Sequence, residues 1–407
     1  MGVVESSGEL EGLRPNTSHV GLVVALVVVS TAVVGVVAGN AGAVQESDEA
    51  GESDELLSVS GWAAVAAFLL GSLILLGSVE VLIHALVRTA SRFGVSALLL
   101  AVVVSGTEVD NVAFGVFTGF REMQNVAFGL AIGNAISIFG LTLAAAALLY
   151  PFDVDVPTDY LAIMVVSPLV LLPYLLTGRI DAVDGVVLIA AYLAVFGYIA
   201  ARELRGDRSY MRSGEVMEAA TSADGQGEAA AAVAGDGVTD DDLPGPLRRV
   251  ARRDWFWPAV MLVALGGIVV GAETASTGTE GIVETWDLHQ TAFGVTMVTI
   301  VFTLDDLLLA VEPVRLGYND IAVGGVIGSL LFFVTANTGI VALVGSVTTS
   351  PRALYFHLPA LLVIAGLSGL LLWRGKLTRL AGAALLGLYV AYLAMNVFFF
   401  SALPVSG

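Results

Sequence analysis

Cysteine is absent from the 407 residues, which excludes disulfide frameworks and thiolate metal centres. Histidine is scarce, at four, so zinc and copper have few ligands and any bound metal ion must be held by oxygen. Lysine occurs once, as Lys376, and 37 acidic residues stand against 18 basic ones. The resulting formal charge of -19 excludes an electrostatic nucleic-acid surface. An acidic, lysine-poor chain suits a very salty cytosol, so a halophilic origin is expected. Charge of any sign is itself thin, at 14% against 57% hydrophobic residues, and a soluble core needs no such excess.

What is present instead is a series of roughly eleven apolar runs, each near the twenty residues that cross a hydrocarbon slab as a helix. The reading is an all-α, polytopic membrane protein with the lipid bilayer as its solvent and little length left for a soluble catalytic domain. The segments divide as residues 1–57, a tail with an extra hydrophobic helix and an acidic loop; 58–203, a first set of five helices; 204–254, a polar linker rich in Ala, Gly and Asp; and 255–407, a second set of five. The extra run, Val20 to Ala38, can also be read as a signal peptide, because Ala41-Gly42-Ala43 resembles a cleavage site. Its acidic lead-in with Glu5, Glu9 and Glu11 argues against that. With the N-terminus inside, all Arg and Lys fall on the cytoplasmic side except Arg121, Arg179 and Arg352, which makes the linker cytoplasmic.

Two segments repeat at a constant offset of 195 residues. The first reads SGTEVDN from Ser105 to Asn111 and VAFGLAIGN from Val126 to Asn134. The second reads IVFTLDD from Ile300 to Asp306 and IAVGGVIGS from Ile321 to Ser329. Asp110 matches Asp305, Gly129 matches Gly324, Gly133 matches Gly328, and Asn134 matches Ser329. Five crossings separate the copies, so they face opposite ways across the membrane. Inverted repeats place an ion site near the midplane, where interrupted helices of both copies meet. Gly106, Gly129, Gly133, Gly324 and Gly328 are expected to permit close backbone approach and local unwinding.

Both halves resemble the cation/calcium exchanger superfamily, the sodium/calcium exchanger membrane proteins with paired repeats, as a divergent archaeal-type member. The lead-in from Leu75 to Glu108 and the segment GAETASTGTEG from Gly271 to Gly281 are similar to those preceding the family's two motifs. Its GTSLPE motif falls on Gly106 to Asn111 and on Val301 to Asp306, and its GSN motif on Gly133 to Ala135 and Gly328 to Leu330. The liganding glutamate is thereby matched by Asn111 and Asp306, and the serine by Glu108 and Thr303. Both prolines are aspartates here, and the later Asn or Asp ligand positions are Ile138 and Phe333. The carboxylates near the site are moved rather than lost.

A carboxylate at the bilayer centre costs about 2.5–3.5 kcal/mol on insertion scales, so Glu108, Asp110, Asp305 and Asp306 require cations, protons or a wet cavity. Together with Thr107, Asn111, Asn134, Thr303 and Ser329 they form an oxygen-only ligand set that suits Ca²⁺ or Na⁺. Glu108 and Asn111, and likewise Thr303 and Asp306, share a helix face. Asp110 and Asp305 lie about 100° around, so they join the same cavity only where the helix is irregular. Glu80 and His84, one turn apart, form a candidate proton relay or a merely structural polar pair.

The resemblance implies a secondary antiporter, not an enzyme, that needs no cofactor, takes inorganic cations as its partners and exchanges Na⁺ for Ca²⁺ by alternating access. Cation/proton exchange on the same scaffold is the alternative. An intramembrane aspartyl protease using Asp110 with Asp305 or Asp306 is a remote third reading.

Overall fold

The structure is a computed structural model and describes residues 60–92, 108–205, 255–315, 317 and 319–400. The Val20 to Ala38 run, with its signal-peptide alternative, and residues 206–254 of the linker lie outside the described residues. Helical segments α1 to α5 are Gly61–Arg92, Val109–Phe120, Gln124–Leu149, Thr158–Thr177 and Ala182–Arg205. α6 is Phe256–Thr285; α7 runs from Gln290–Phe293 through a π segment at Gly294–Val298 into Thr299–Arg315. α8 runs from Asn319–Phe332 through a π segment at Phe333–Asn337 into Thr338–Val344, and α9 and α10 are Ala353–Trp373 and Arg379–Phe400.

Eight of these segments are long and apolar enough to cross a bilayer. α2 falls short because its described part opens at Val109, in the middle of the apolar run, and α7 because its apolar part, Gln290–Leu304, ends where Asp305 and Asp306 begin. Large apolar side chains such as Leu262, Val363 and Leu380 point outward, as lipid contact requires.

The 195-residue offset reappears in the fold. Gln124–Ser137 corresponds to Asn319–Phe332, the π segment at Ile138–Leu143 to the one at Phe333–Asn337, and the ends of α2 and α7 are Phe120 and Arg315. A π turn lengthens the hydrogen-bonding step to five residues. In two of them a threonine answers it: Thr299 donates to the Gly294 carbonyl and Thr338 to that of Phe333, both at 2.9 Å.

Two short antiparallel pairs tie the halves together. β1 (Phe152–Asp153), after α3, pairs with β4 (Lys376–Leu377), between α9 and α10. β2 (Arg179–Ile180), between α4 and α5, pairs with β3 (Val347–Thr348), between α8 and α9. The repeat relation exchanges one pair for the other.

α3 and α8 are the most enclosed spans, 78% and 83% buried against 17% for α5, so they form the centre. α1 and α6 pair along their lengths through small residues. A Cβ on Gly71 would lie 2.2 Å from the Ala275 nitrogen, and one on Gly278 would lie 2.2 Å from that of Phe68. Such contact is open only to glycine and replaces the hydrophobic drive that helices lack in lipid.

Candidate functional site

The irregularity that the acids need begins at Glu108. This residue is the N-cap of α2, with φ -69° and ψ 72°, so the helix starts directly after it. Asp110 and Asn111 fall in the first turn, where free backbone N–H groups and the helix dipole favour negative charge. Asp110 Oδ2 accepts from Asn111 Nδ2 at 3.2 Å.

From α3, Asn134 donates through Nδ2 to Asn111 Oδ1 at 2.7 Å. From α7, the Thr303 hydroxyl lies 3.4 Å from Asn134 Oδ1 and 2.9 Å from the Ser137 hydroxyl, and donates to the Thr299 carbonyl at 2.7 Å. The second cluster is acidic. Ser329 of α8 donates to Glu108 Oε1 at 2.5 Å, and the Glu108 carboxyl also meets the side chains of Asp306 and Asn111. Apart from Glu108, every one of these side chains from Asp110 to Ser329 is at most 5% exposed, so the groups meet inside the protein.

Among the described residues no three His, Asp or Glu side chains are grouped closely enough to hold a metal ion. A cation between Glu108 and Asp306 therefore needs hydroxyl, amide or water oxygens to reach the six or more that Ca²⁺ takes.

Glu108, Asp110, Asn111, Asn134, Thr303, Asp306 and Ser329 are thus brought together. Thr107 lies outside the described residues; Asp305 belongs to α7, with its side chain outside them, as is that of His84. Glu80 occupies an exposed position on α1. Of the repeat glycines, Gly129 and Gly133 make the expected close approach: a Cβ would lie 2.4 Å from the Thr291 carbonyl oxygen and 2.0 Å from Thr299 Oγ1, respectively. At Gly328 nothing among the described residues lies within 4 Å of a Cβ, and the partners that the repeat would supply there, residues 100 and 104, are outside them.

Sequence reasoning passed over Ser137 and Thr299. Ser137 stands one turn beyond Asn134, a signal that polar spacing on an enclosed helix provides. It also passed over Arg121, at the C-cap of α2, which bonds Glu273 at 2.6 Å and also Glu280, two turns apart on α6.

A family model described as sodium/calcium exchanger protein matches residues 63–200 and 256–398, one block in each half. The inner membrane protein YrbG of Escherichia coli (strain K12) is 27% identical over 341 residues, 82% of this chain and 96% of that protein. The sodium/calcium exchanger MaX1 of Methanosarcina acetivorans is 26% identical over 136 residues, 33% of this chain and 39% of that one. The crystal structure of the H⁺/Ca²⁺ exchanger CAX has a similar fold, with a TM-score of 0.58 and 15% identity over 84% of this chain and 87% of that one. Two matched blocks, the repeat in sequence and fold, and the acids gathered between the halves agree on one assignment: the chain belongs to the sodium/calcium exchanger protein family and is a multi-pass membrane cation antiporter.

Proposed function

We propose that the carboxyls of Glu108 and Asp306, with the Ser329 hydroxyl, bind the transported cation, and that the chain exchanges Ca²⁺ for Na⁺ by exposing this pocket to each side of the membrane in turn. The observation that carries the reading is the meeting of Glu108, from the first repeat, with Asp306 and Ser329, from the second, inside a membrane protein. Two facing carboxylates in a water-poor interior repel unless a cation or a proton lies between them. Asn111, Asn134 and Thr303 supply the neutral wall, and Asp110, which accepts from Asn111 at the start of α2, supplies field more than ligation. In reconstituted vesicles Asp306→Asn is expected to abolish Ca²⁺ flux driven by a Na⁺ gradient; wild-type flux from that variant would sink the assignment.

Contact between two carboxyls also supports proton coupling, since one shared proton relieves the same repulsion. Ca²⁺ flux that follows a pH gradient and ignores Na⁺ would favour that reading. The bias of basic residues supports a cell-membrane protein whose 204–254 linker is cytoplasmic. Pairing of Arg179 with Thr348, and of Lys376 with Asp153, agrees with the same division of faces.

A further inference from the structure

The repeat continues past the pocket into α5 and α10, at an offset of 197 residues. Gly178 before β2 and Gly375 before β4, both at positive φ (80° and 73°), stand that far apart. So do Gly185 and Gly382 and, seven residues on, Tyr192 and Tyr389. Gly185 and Gly382 each seat their helix on the central helix of the opposite half. A Cβ on Gly185 of α5 would lie 2.6 Å from the Gly339 carbonyl oxygen of α8, and one on Gly382 of α10 would lie 2.7 Å from that of Ala144 in α3. Two turns further along the same face, each tyrosine is turned to that central helix as well.

The two tyrosines differ in what they meet. Tyr192 packs edge-on against Phe332 of α8, with ring centroids 5.7 Å apart, and is stacked by Phe196 at 5.6 Å. Phe332 lies one turn beyond Ser329, whose hydroxyl is bonded to Glu108. Tyr192 therefore flanks the acidic cluster, and the charge of Glu108 acts on its phenol. Tyr389 lies against Gly140 of α3, and the repeat partners of Phe332 and Glu108 on its side are Ser137 and Thr303. Thr303 already donates to the Thr299 carbonyl, and the buried Tyr389 hydroxyl has no hydrogen-bond partner among the described residues. One tyrosine stands beside a carboxyl and its mate beside none.

Glu108 has a use for such a donor. Its carboxyl meets Ser329 and the side chain of Asp306. With a cation between them both carboxyls are ionised, and neither can donate to the other. A carboxylate left short of donors in a water-poor interior is costly. A phenol, protonated up to about pH 10 in water, supplies an O–H without a positive charge that would compete with the ion.

Resting on the proposed role of Glu108 and Asp306, we infer that Tyr192 is a positioning residue of the exchanger: in the cation-bound pocket its hydroxyl donates to the Glu108 carboxyl and holds it toward the ion from α5.

Tyr192→Phe removes the hydroxyl and keeps both ring contacts, and Tyr389→Phe is its repeat-related control. Three measurements are made on the full chain: equilibrium binding of ⁴⁵Ca²⁺ in detergent, melting without Ca²⁺, and flux at saturating Ca²⁺ in vesicles. Tyr192→Phe is expected to raise the Kd for Ca²⁺ about tenfold, as loss of a hydrogen bond to a charged group does, with melting and saturating flux unchanged. Tyr389→Phe should leave the Kd as in wild type. An unchanged Kd in Tyr192→Phe, while Asp306→Asn binds no Ca²⁺, would overturn the inference and leave the Asp306 assignment standing. An equal rise in both tyrosine variants, or a rise that comes with a lower melting temperature, would make the hydroxyl a packing group and overturn it too. Wild-type binding by Asp306→Asn would instead remove the Asp306 assignment, and the inference with it.

Discussion

Gly133→Ala offers a direct test of how tightly the centre is built. The new Cβ would stand 2.0 Å from Thr299 Oγ1, 2.9 Å from the Val295 carbonyl oxygen and 3.0 Å from Thr299 Cβ. The Thr299 hydroxyl is held by the Gly294 carbonyl at 2.9 Å, and a backbone carbonyl cannot rotate away. Relief must come from α3 moving off α7 by about an ångström, against van der Waals contact at about 3.5–4.0 Å. Helix propensity favours alanine over glycine by about 0.8–1.0 kcal/mol, whereas overpacking a filled interior costs about 1–3 kcal/mol. Overpacking wins here, because the obstacle includes backbone. The net expectation is a loss of up to about 2 kcal/mol. Displacement would also pull Asn134, the next residue, away from Asn111 and lower Ca²⁺ flux. Gly266→Ala is the reference, since nothing among the described residues lies within 4 Å of a Cβ there, and propensity alone should stabilise it. Thermal unfolding of both variants in one detergent decides the matter; if Gly133→Ala melts at or above Gly266→Ala, the tight α3–α7 contact is wrong.

Ser329→Ala removes a hydrogen bond to a charged acceptor, worth about 1.5–3 kcal/mol, so Ca²⁺ affinity should fall at least about tenfold in the binding assay. Arg121→Ala breaks partly exposed ion pairs with Glu273 and Glu280 and should cost no more than about 1 kcal/mol of stability, shrinking further in molar salt when melting is followed against ionic strength. His289, at the lead-in to α7 outside the spanning helices, is held below its ordinary pKa by burial, with Arg352 adding to the effect. The unfolded chain then binds that proton more readily, so stability is full above about pH 6.5 and is lost as pH falls below it. His289→Gln should flatten that acid-side loss in a pH series of melting curves, and an unchanged slope would assign it elsewhere.

The repeat was legible because both copies keep acids and glycines at one offset, and the fold repeats the same offset in helix ends and π segments. Helix periodicity put Glu108 with Asn111 and Thr303 with Asp306 on shared faces, whereas Glu108 stands at the non-helical N-cap of α2. That Glu108 rather than Asp110 meets Ser329 of the other repeat was not legible. That depends on α2 starting at Val109, and no proline announces the start. Ser137 was hidden among the apolar residues of α3. Arg121 lies 152 and 159 positions from Glu273 and Glu280, and charge complementarity over such separations leaves no local mark.

The crossed strand pairs bear on how such a molecule can move. Each half lends one edge to the other at two separate corners, so swinging one entire half against its mate would tear main-chain bonds at both corners. The glycine-meshed couple α1 and α6 takes part in neither corner, and Arg121 of α2 holds it through Glu273 and Glu280. A slide of that couple past the stapled block would leave the main-chain bonds of both corners intact.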